Sequence, residues 1–209
     1  MTVSKTRLRR AAGKPLGEAL AGDVLLATAA LVGCILARRV DGQVRRALIV
    51  ETEAYHQSEP GSHSYRGVTP RTRIMFGPAG YLYVYFTYGM WHCCNVVAEK
   101  EGIGAAVLLR AAEPLEPFDG SDPDVPRLRL SGPGLLCQGL ELTRENNGAY
   151  LLGGPGRSDV WLYRPDDYEV PELDWSRRVG LGFYEELPWR ARWVGHPAVS
   201  KGRPTPMKQ

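Results

Sequence analysis

The stretch Tyr81-Leu82-Tyr83-Val84-Tyr85-Phe86-Thr87-Tyr88-Gly89-Met90-Trp91 decides the architecture. Aromatic and β-branched residues at alternating positions suit a half-buried strand. Tyr88-Gly89-Met90 then reads as a turn between two strands, 80–87 and 91–98. A third strand-like run, 104–111, follows a second turn near Glu101-Gly102, so the three runs form an antiparallel meander. Upstream, 33–40 and 45–55 read as two more strands joined by the turn dipeptide Asp41-Gly42. Residues 15–30 read as helical. The apolar run from Val24 to Leu36 is too short to span a bilayer and reads as a buried helix passing into a strand. Between 56 and 80 lies a long irregular segment rich in Gly, Pro, Ser and Arg, and long loops in compact domains usually carry function. Residues 117–130 form a Pro- and Asp-rich excursion, Leu135 to Leu142 a helix, and the rest short strands closing at 189–199. The expected fold is α+β: a single domain on a curved, mainly antiparallel sheet, with a protruding β-hairpin and peripheral helices.

Composition sets the outer limits. A chain of 209 residues with 44% apolar and 23% charged residues can bury one sizeable core. A net charge of +3 does not by itself announce a nucleic-acid partner. The distribution says more. Lys5, Arg7, Arg9, Arg10 and Lys14 crowd the first fourteen residues without an acid, and Lys201, Arg203 and Lys208 the last nine. Three parts follow: a basic arm over 1–14, a single domain over 15–200 and a basic tail over 201–209. Either end suits a phosphate backbone or serves as a solubilising tail. Cys34, Cys93, Cys94 and Cys137 include no C-x-x-C pair, so they suit neither zinc nor a disulfide framework; free buried thiols in a cytosol are expected. Lysine is scarce, with Lys100 alone between Lys14 and Lys201, which argues against a Schiff-base nucleophile and for water.

In Val50-Glu-Thr-Glu-Ala-Tyr55, strand alternation puts Glu51, Glu53 and Tyr55 on one face. Two acids there are either solvated or arginine-paired on an edge strand, or one of them is a general base accepting a proton from water. Tyr81, Tyr83 and Tyr85 share a face that either packs on the core or walls a pocket. Tyr88, beside a turn glycine, reads either as an exposed wedge able to unstack base pairs or as a ring packed against a neighbouring loop. His63 sits in the long loop as a hydrogen-bonding residue. Thr69, Arg71 and Arg73 of Thr69-Pro-Arg-Thr-Arg73 offer a hydroxyl and two arginine forks suited to phosphate oxygens, or equally to water. No His/Cys/Asp set has metal spacing, so neither metal nor cofactor is expected.

Taken in order, V-E-T-E-A-Y, H-S-Y-R-G, T-P-R, M-F-G-P-A-G, L-Y-V-Y-F-T-Y-G-M, N-V-V, V-L-L-R-A-x-E-P and G-P-G-x-L-C-Q over 49–139 resemble the alkyladenine (3-methyladenine, methylpurine) DNA glycosylase family in its bacterial form. Leu187-Pro-Trp-Arg and Gly195-His-Pro-Ala-Val-Ser200 look like the family's ending. The resemblance implies a DNA repair enzyme that flips an alkylated or deaminated purine out of double-stranded DNA and hydrolyses its glycosidic bond. Glu53 would be the water-activating base, with Arg110 holding the water. Tyr55, His63 and Tyr85 would wall the pocket, and Asn95 would screen out guanine's exocyclic amine. Tyr88, with Met90 beside it, would fill the gap left in the duplex. It further implies a cytoplasmic, nucleoid-associated monomer acting without a membrane. The chain departs from the family at Thr72, where asparagine is usual, at Leu135, where lysine is usual, and at Trp91. Two rival readings stand beside this one. A non-catalytic nucleic-acid-binding module would need nothing from Glu53. A carboxylate-dependent nucleoside hydrolase would be indifferent to loss of Tyr88.

Overall fold

A computed structural model describes residues 14–181 and 187–202; the expected basic arm up to residue 13, and the tail from 203, lie outside them. The helical stretch expected over 15–30 is two short helices, α1 (Leu16–Leu20) and α2 (Val24–Leu31). Asp23 divides them: its side chain accepts from the backbone N–H of Leu25 and Leu26 and so starts a second helix. Helix α2 is apolar on nearly every side and buried, and it runs into strand β1 (Ile35–Val40). Asp41 and Gly42, both at positive φ, make the tight turn into β2 (Gln43–His56).

Next come β3 (Leu82–Thr87), β4 (Trp91–Val97) and β5 (Ala105–Pro114), the expected meander. Helix α3 spans Pro133–Gly139, two residues earlier than expected because Pro133 suits the first helical turn. Strands β6 (Val160–Tyr163), β7 (Leu173–Ser176) and β8 (Arg190–Trp193) complete an antiparallel sheet curled into a half-barrel. Its order is β3-β4-β5-β2-β1-β6, with β8 pairing to both β2 and β7. The strand carrying the two acids is therefore interior. Near Glu51 it pairs with β5 on one side and β8 on the other. Two register shifts against β5, on either side of Glu51, mark a bulge there.

One sheet face carries Leu36, Ile49, Leu82, Val84, Val96, Val107 and Leu109 against α2 and α3, and this is the main core. The alternate residues of the meander, Tyr83, Val97 and Ala106, face the other way and pack with Met75 from the long loop. In β3 the period of two thus sends Leu82 and Val84 to the core and Tyr83 to the opposite face. That loop is pinned from below. Gln57 and Gly104 exchange hydrogen bonds of 2.8 Å, and the Ser64 hydroxyl donates to the Gly104 carbonyl at 2.7 Å. A Cβ at Gly104 would meet Phe76 and Ser64 within 2.7 Å, so only glycine admits this approach. Among the described residues no helix is long and apolar enough to cross a membrane.

Candidate active site

Strand β2 brings Glu51 and Glu53 to the same side of the sheet, both with no exposed surface. Burying a carboxylate costs several kcal/mol unless its oxygens are satisfied, and both are. Glu51 accepts from Arg110 Nε at 2.9 Å and Arg190 Nε at 2.7 Å, and from the Ser200 N–H at 2.7 Å and hydroxyl at 3.1 Å. Glu53 is held more lightly. Its Oε2 accepts from the Tyr55 hydroxyl at 2.9 Å and from Arg110 Nη1 at 3.3 Å, and its Oε1 from the Val179 backbone N–H at 2.9 Å. Burial raises the Glu53 pKa above the ordinary carboxylate value; Arg110, the Tyr55 hydroxyl and Val179 pull it back only in part. Of the two sequence readings of this pair, arginine pairing is observed, on an interior strand rather than an edge.

Beside this cluster lies a slot of about 60 Å³ lined by Tyr55, Gly61, His63, Met75, Tyr83, Tyr85, Asn95 and Leu181. The four residues expected to form a base pocket, Tyr55, His63, Tyr85 and Asn95, therefore come together from β2, the long loop, β3 and β4. Tyr55 is the shared wall, lining the slot and donating its hydroxyl to Glu53. His63 stands edge-on to Tyr85, ring centres 4.6 Å apart. Asn95 is buried and donates from Nδ2 to the Tyr83 carbonyl. The His63 pKa falls to about 4, chiefly because the ring is packed away from water and then because Arg71 is adjacent, so its imidazole is neutral at physiological pH. Burial pushes the Tyr55 and Tyr85 hydroxyls up, so both stay protonated donors.

A buried arginine braces this wall. Arg178 grips Glu59 with both terminal nitrogens, at 2.7 and 2.8 Å, and donates to the Ala54 carbonyl. Its guanidinium lies 4.7 Å from the Tyr55 ring centre and 5.4 Å from that of Trp189. The grip ties the long loop to the segment carrying Val179 and Leu181, which covers Glu53 and one side of the slot.

The expected DNA-contact residues divide. Tyr88 and Met90 project from the β3–β4 turn, 81% and 67% exposed. Tyr88 adopts φ 50° and Gly89 φ 67°, a turn that Asn-Gly fills more cheaply. A bulky ring held there at a local cost, in contact with water, contributes nothing evident to folding. Arg71 and Arg73 are exposed on the long loop. Thr69 instead serves the loop: its hydroxyl lies 2.9 Å from that of buried Thr72, which in turn donates to the Gly67 carbonyl. Thr72, a departure from the family pattern, thus stabilises the turn. Trp91 packs on Gly134 of α3, away from the slot, so it does not narrow it. Leu135 lines a separate groove with Arg127, Arg129 and Lys201.

Sequence reasoning overlooked Arg190, Ser200, Val179, Arg178 and Glu59. Arg190 lies in a quoted motif, so it was within reach. The Val179 contact is a backbone N–H from 126 residues away, and side-chain patterns carry no signal of it.

The family model for methylpurine-DNA glycosylase matches residues 18–197. Three relatives, each provisionally named 3-methyladenine DNA glycosylase, are similar over most of their length. The protein from Synechococcus sp. is 43% identical over 88% of this chain and 97% of its own. That from Carboxydothermus hydrogenoformans is 40% identical over 87% and 95%. That from Methanoculleus marisnigri is 40% identical over 86% and 94%.

Proposed function

The chain belongs to the methylpurine-DNA glycosylase family, and from that premise we propose that it removes alkylated or deaminated purines from double-stranded DNA by means of a water activated at Glu53. The bases concerned are 3-methyladenine, 7-methylguanine, hypoxanthine and etheno-adenine. The observation that carries this reading is the 2.9 Å bond from the Tyr55 hydroxyl to Glu53, which sets a buried, high-pKa acid directly behind the wall of an aromatic slot.

A base inside a duplex hides its glycosidic bond, and extruding it costs a few kcal/mol, less when the base is damaged. Tyr88 enters the gap, with Met90 beside it. The extruded ring stacks between Tyr55 and His63, with Tyr85 at the side. A purine methylated on a ring nitrogen is cationic, and aromatic faces attract cations by roughly 0.5–2 kcal/mol; the neutral imidazole of His63 adds no opposing charge. Asn95 at the floor crowds guanine's exocyclic amine and so disfavours undamaged guanine, whereas 7-methylguanine offsets that crowding with its positive charge and its weakened sugar bond. As the bond to the sugar breaks, the base departs with the bonding electrons and positive charge grows on the sugar. Water oxygen bonds to the sugar carbon, its proton passes to Glu53, and Arg110 steers the water. The products are an intact strand with an abasic site and the free base: a methylated purine, cationic beforehand, leaves neutral, whereas hypoxanthine and etheno-adenine leave with an extra negative charge and take up a proton from solvent water.

This chemistry requires the slot to open on DNA. Its 60 Å³ falls short of the roughly 300 Å³ at the lower end of ligand pockets, and the segment bearing Val179 and Leu181 is the cover that must yield. The enzyme works as a monomer. The test is to incubate pure protein, without added metal, with duplexes carrying each lesion and to look for free base and abasic sites. Release by the parent chain, with loss in Glu53→Gln while duplex binding persists, upholds the reading. Equal release by both removes Glu53 from the chemistry.

A further inference from the structure

Arg71 is exposed on the long loop, and its guanidinium lies against two of the slot walls. Its Nη2 lies 3.3 Å from His63 Nε2 and its central carbon 5.4 Å from the Tyr85 ring centre. An arginine only donates, so His63 Nε2 must accept. The imidazole proton then sits on Nδ1 and is donated to the Tyr83 hydroxyl at 3.1 Å. In the DNA-free protein Arg71 therefore does two things at once. It occupies the lone pair that His63 would offer to a base, and it holds a positive charge against the same aromatic surface that would attract a cationic purine.

We propose that Arg71 is an electrostatic gate on base entry: without DNA it makes the slot repel cationic purines, and on DNA it transfers to a backbone phosphate and unmasks His63 and Tyr85. The inference rests on the glycosylase reading of the slot. Phosphate competes well for the guanidinium because an anion adds direct charge attraction and accepts a forked pair of bonds, which a single neutral nitrogen does not. Opening is thereby coupled to the substrate's backbone rather than to the base. Free methylated nucleosides and released bases are kept out, and a base arriving on a duplex meets an uncovered lone pair and electron-rich rings. Arg71 is a specificity-determining residue that acts through His63 and Tyr85.

The experiment measures equilibrium binding of 7-methylguanosine in mildly acidic buffer, where its ring is cationic, and of neutral inosine, to the full chain, to Arg71→Gln and to Arg71→Lys. Removing a nearby charge of this exposure should tighten the cationic nucleoside roughly three- to tenfold and leave inosine within about twofold. Arg71→Lys keeps the charge and should bind 7-methylguanosine as weakly as the parent chain. Arg71 is exposed, so both variants should melt close to the parent. Unchanged 7-methylguanosine binding in Arg71→Gln overturns the gate, as does tightening in Arg71→Lys equal to that in Arg71→Gln. Base release from lesion duplexes by the parent chain, measured alongside, separates the two failures: persistent release leaves the glycosylase reading standing, and its absence on every lesion removes that reading.

Discussion

Two carboxylates, two residues apart on one strand and equally buried, meet different surroundings. Glu51 is locked by two arginines and two donors from Ser200. Glu53 shares one of those arginines at longer range and depends on a tyrosine hydroxyl and a single backbone N–H. Glu51 ties β2 to β5, β8 and Ser200, and none of these hydrogen-bond partners lines the slot. Glu53 is the one that touches a pocket wall, and desolvation outweighs its partners enough to raise its pKa. Burial alone therefore does not mark a reactive acid; the balance between desolvation and compensation does.

The comparison breaks most readily on a pair of isosteric substitutions. Glu53→Gln should lower single-turnover base release by about 10²–10⁴-fold. A raised folded-state pKa means that folding favours the protonated acid: that contribution is complete at low pH and is lost as the pH rises through the raised value. The Glu53 carboxylate is thus a burden on folding at neutral pH, and Glu53→Gln should melt at the parent temperature or above it. Glu51→Gln should do the reverse, costing about 3–5 kcal/mol because Arg190 is left buried without its counter-charge. Chemical denaturation of the two variants decides the matter, and a larger stability loss in Glu53→Gln would invert the assignment.

Tyr88→Ala tests the exposed hairpin tip. Folding stability should stay within about 0.5 kcal/mol, since the ring is exposed. Base release from duplexes should drop roughly tenfold or more, with single-stranded release little changed, because unstacking is then unassisted. The finest discrimination comes from pH. Base release should climb as the pH passes the raised Glu53 value, above the ordinary carboxylate range, since the carboxylate form accepts the proton. His63, with a pKa of about 4, is already neutral there and adds no step. A rate limb at the ordinary carboxylate pKa would place Glu53 in water.

Much of this was legible beforehand because strand periodicity is local. Alternation in Tyr81–Tyr85 separated Val84 from Tyr83 and Tyr85, and the glycine after Tyr88 located the exposed tip. Less legible was the break at Asp23, where a capping side chain overrode a continuous apolar run. Asn95 and Arg110 were singled out only through family resemblance, because neither forms a pattern with its neighbours in sequence.

Residue order alone determined the antiparallel meander, the pairing of acids with tyrosines on one face, and the aromatic hairpin tip, since each follows from side chains two residues apart pointing the same way. Only the tertiary structure decided which acid is locked and which is poised. That depends on Arg190, Ser200 and the Val179 N–H arriving from more than a hundred residues away. Desolvation and its compensation are properties of the three-dimensional surroundings, and no local pattern encodes them.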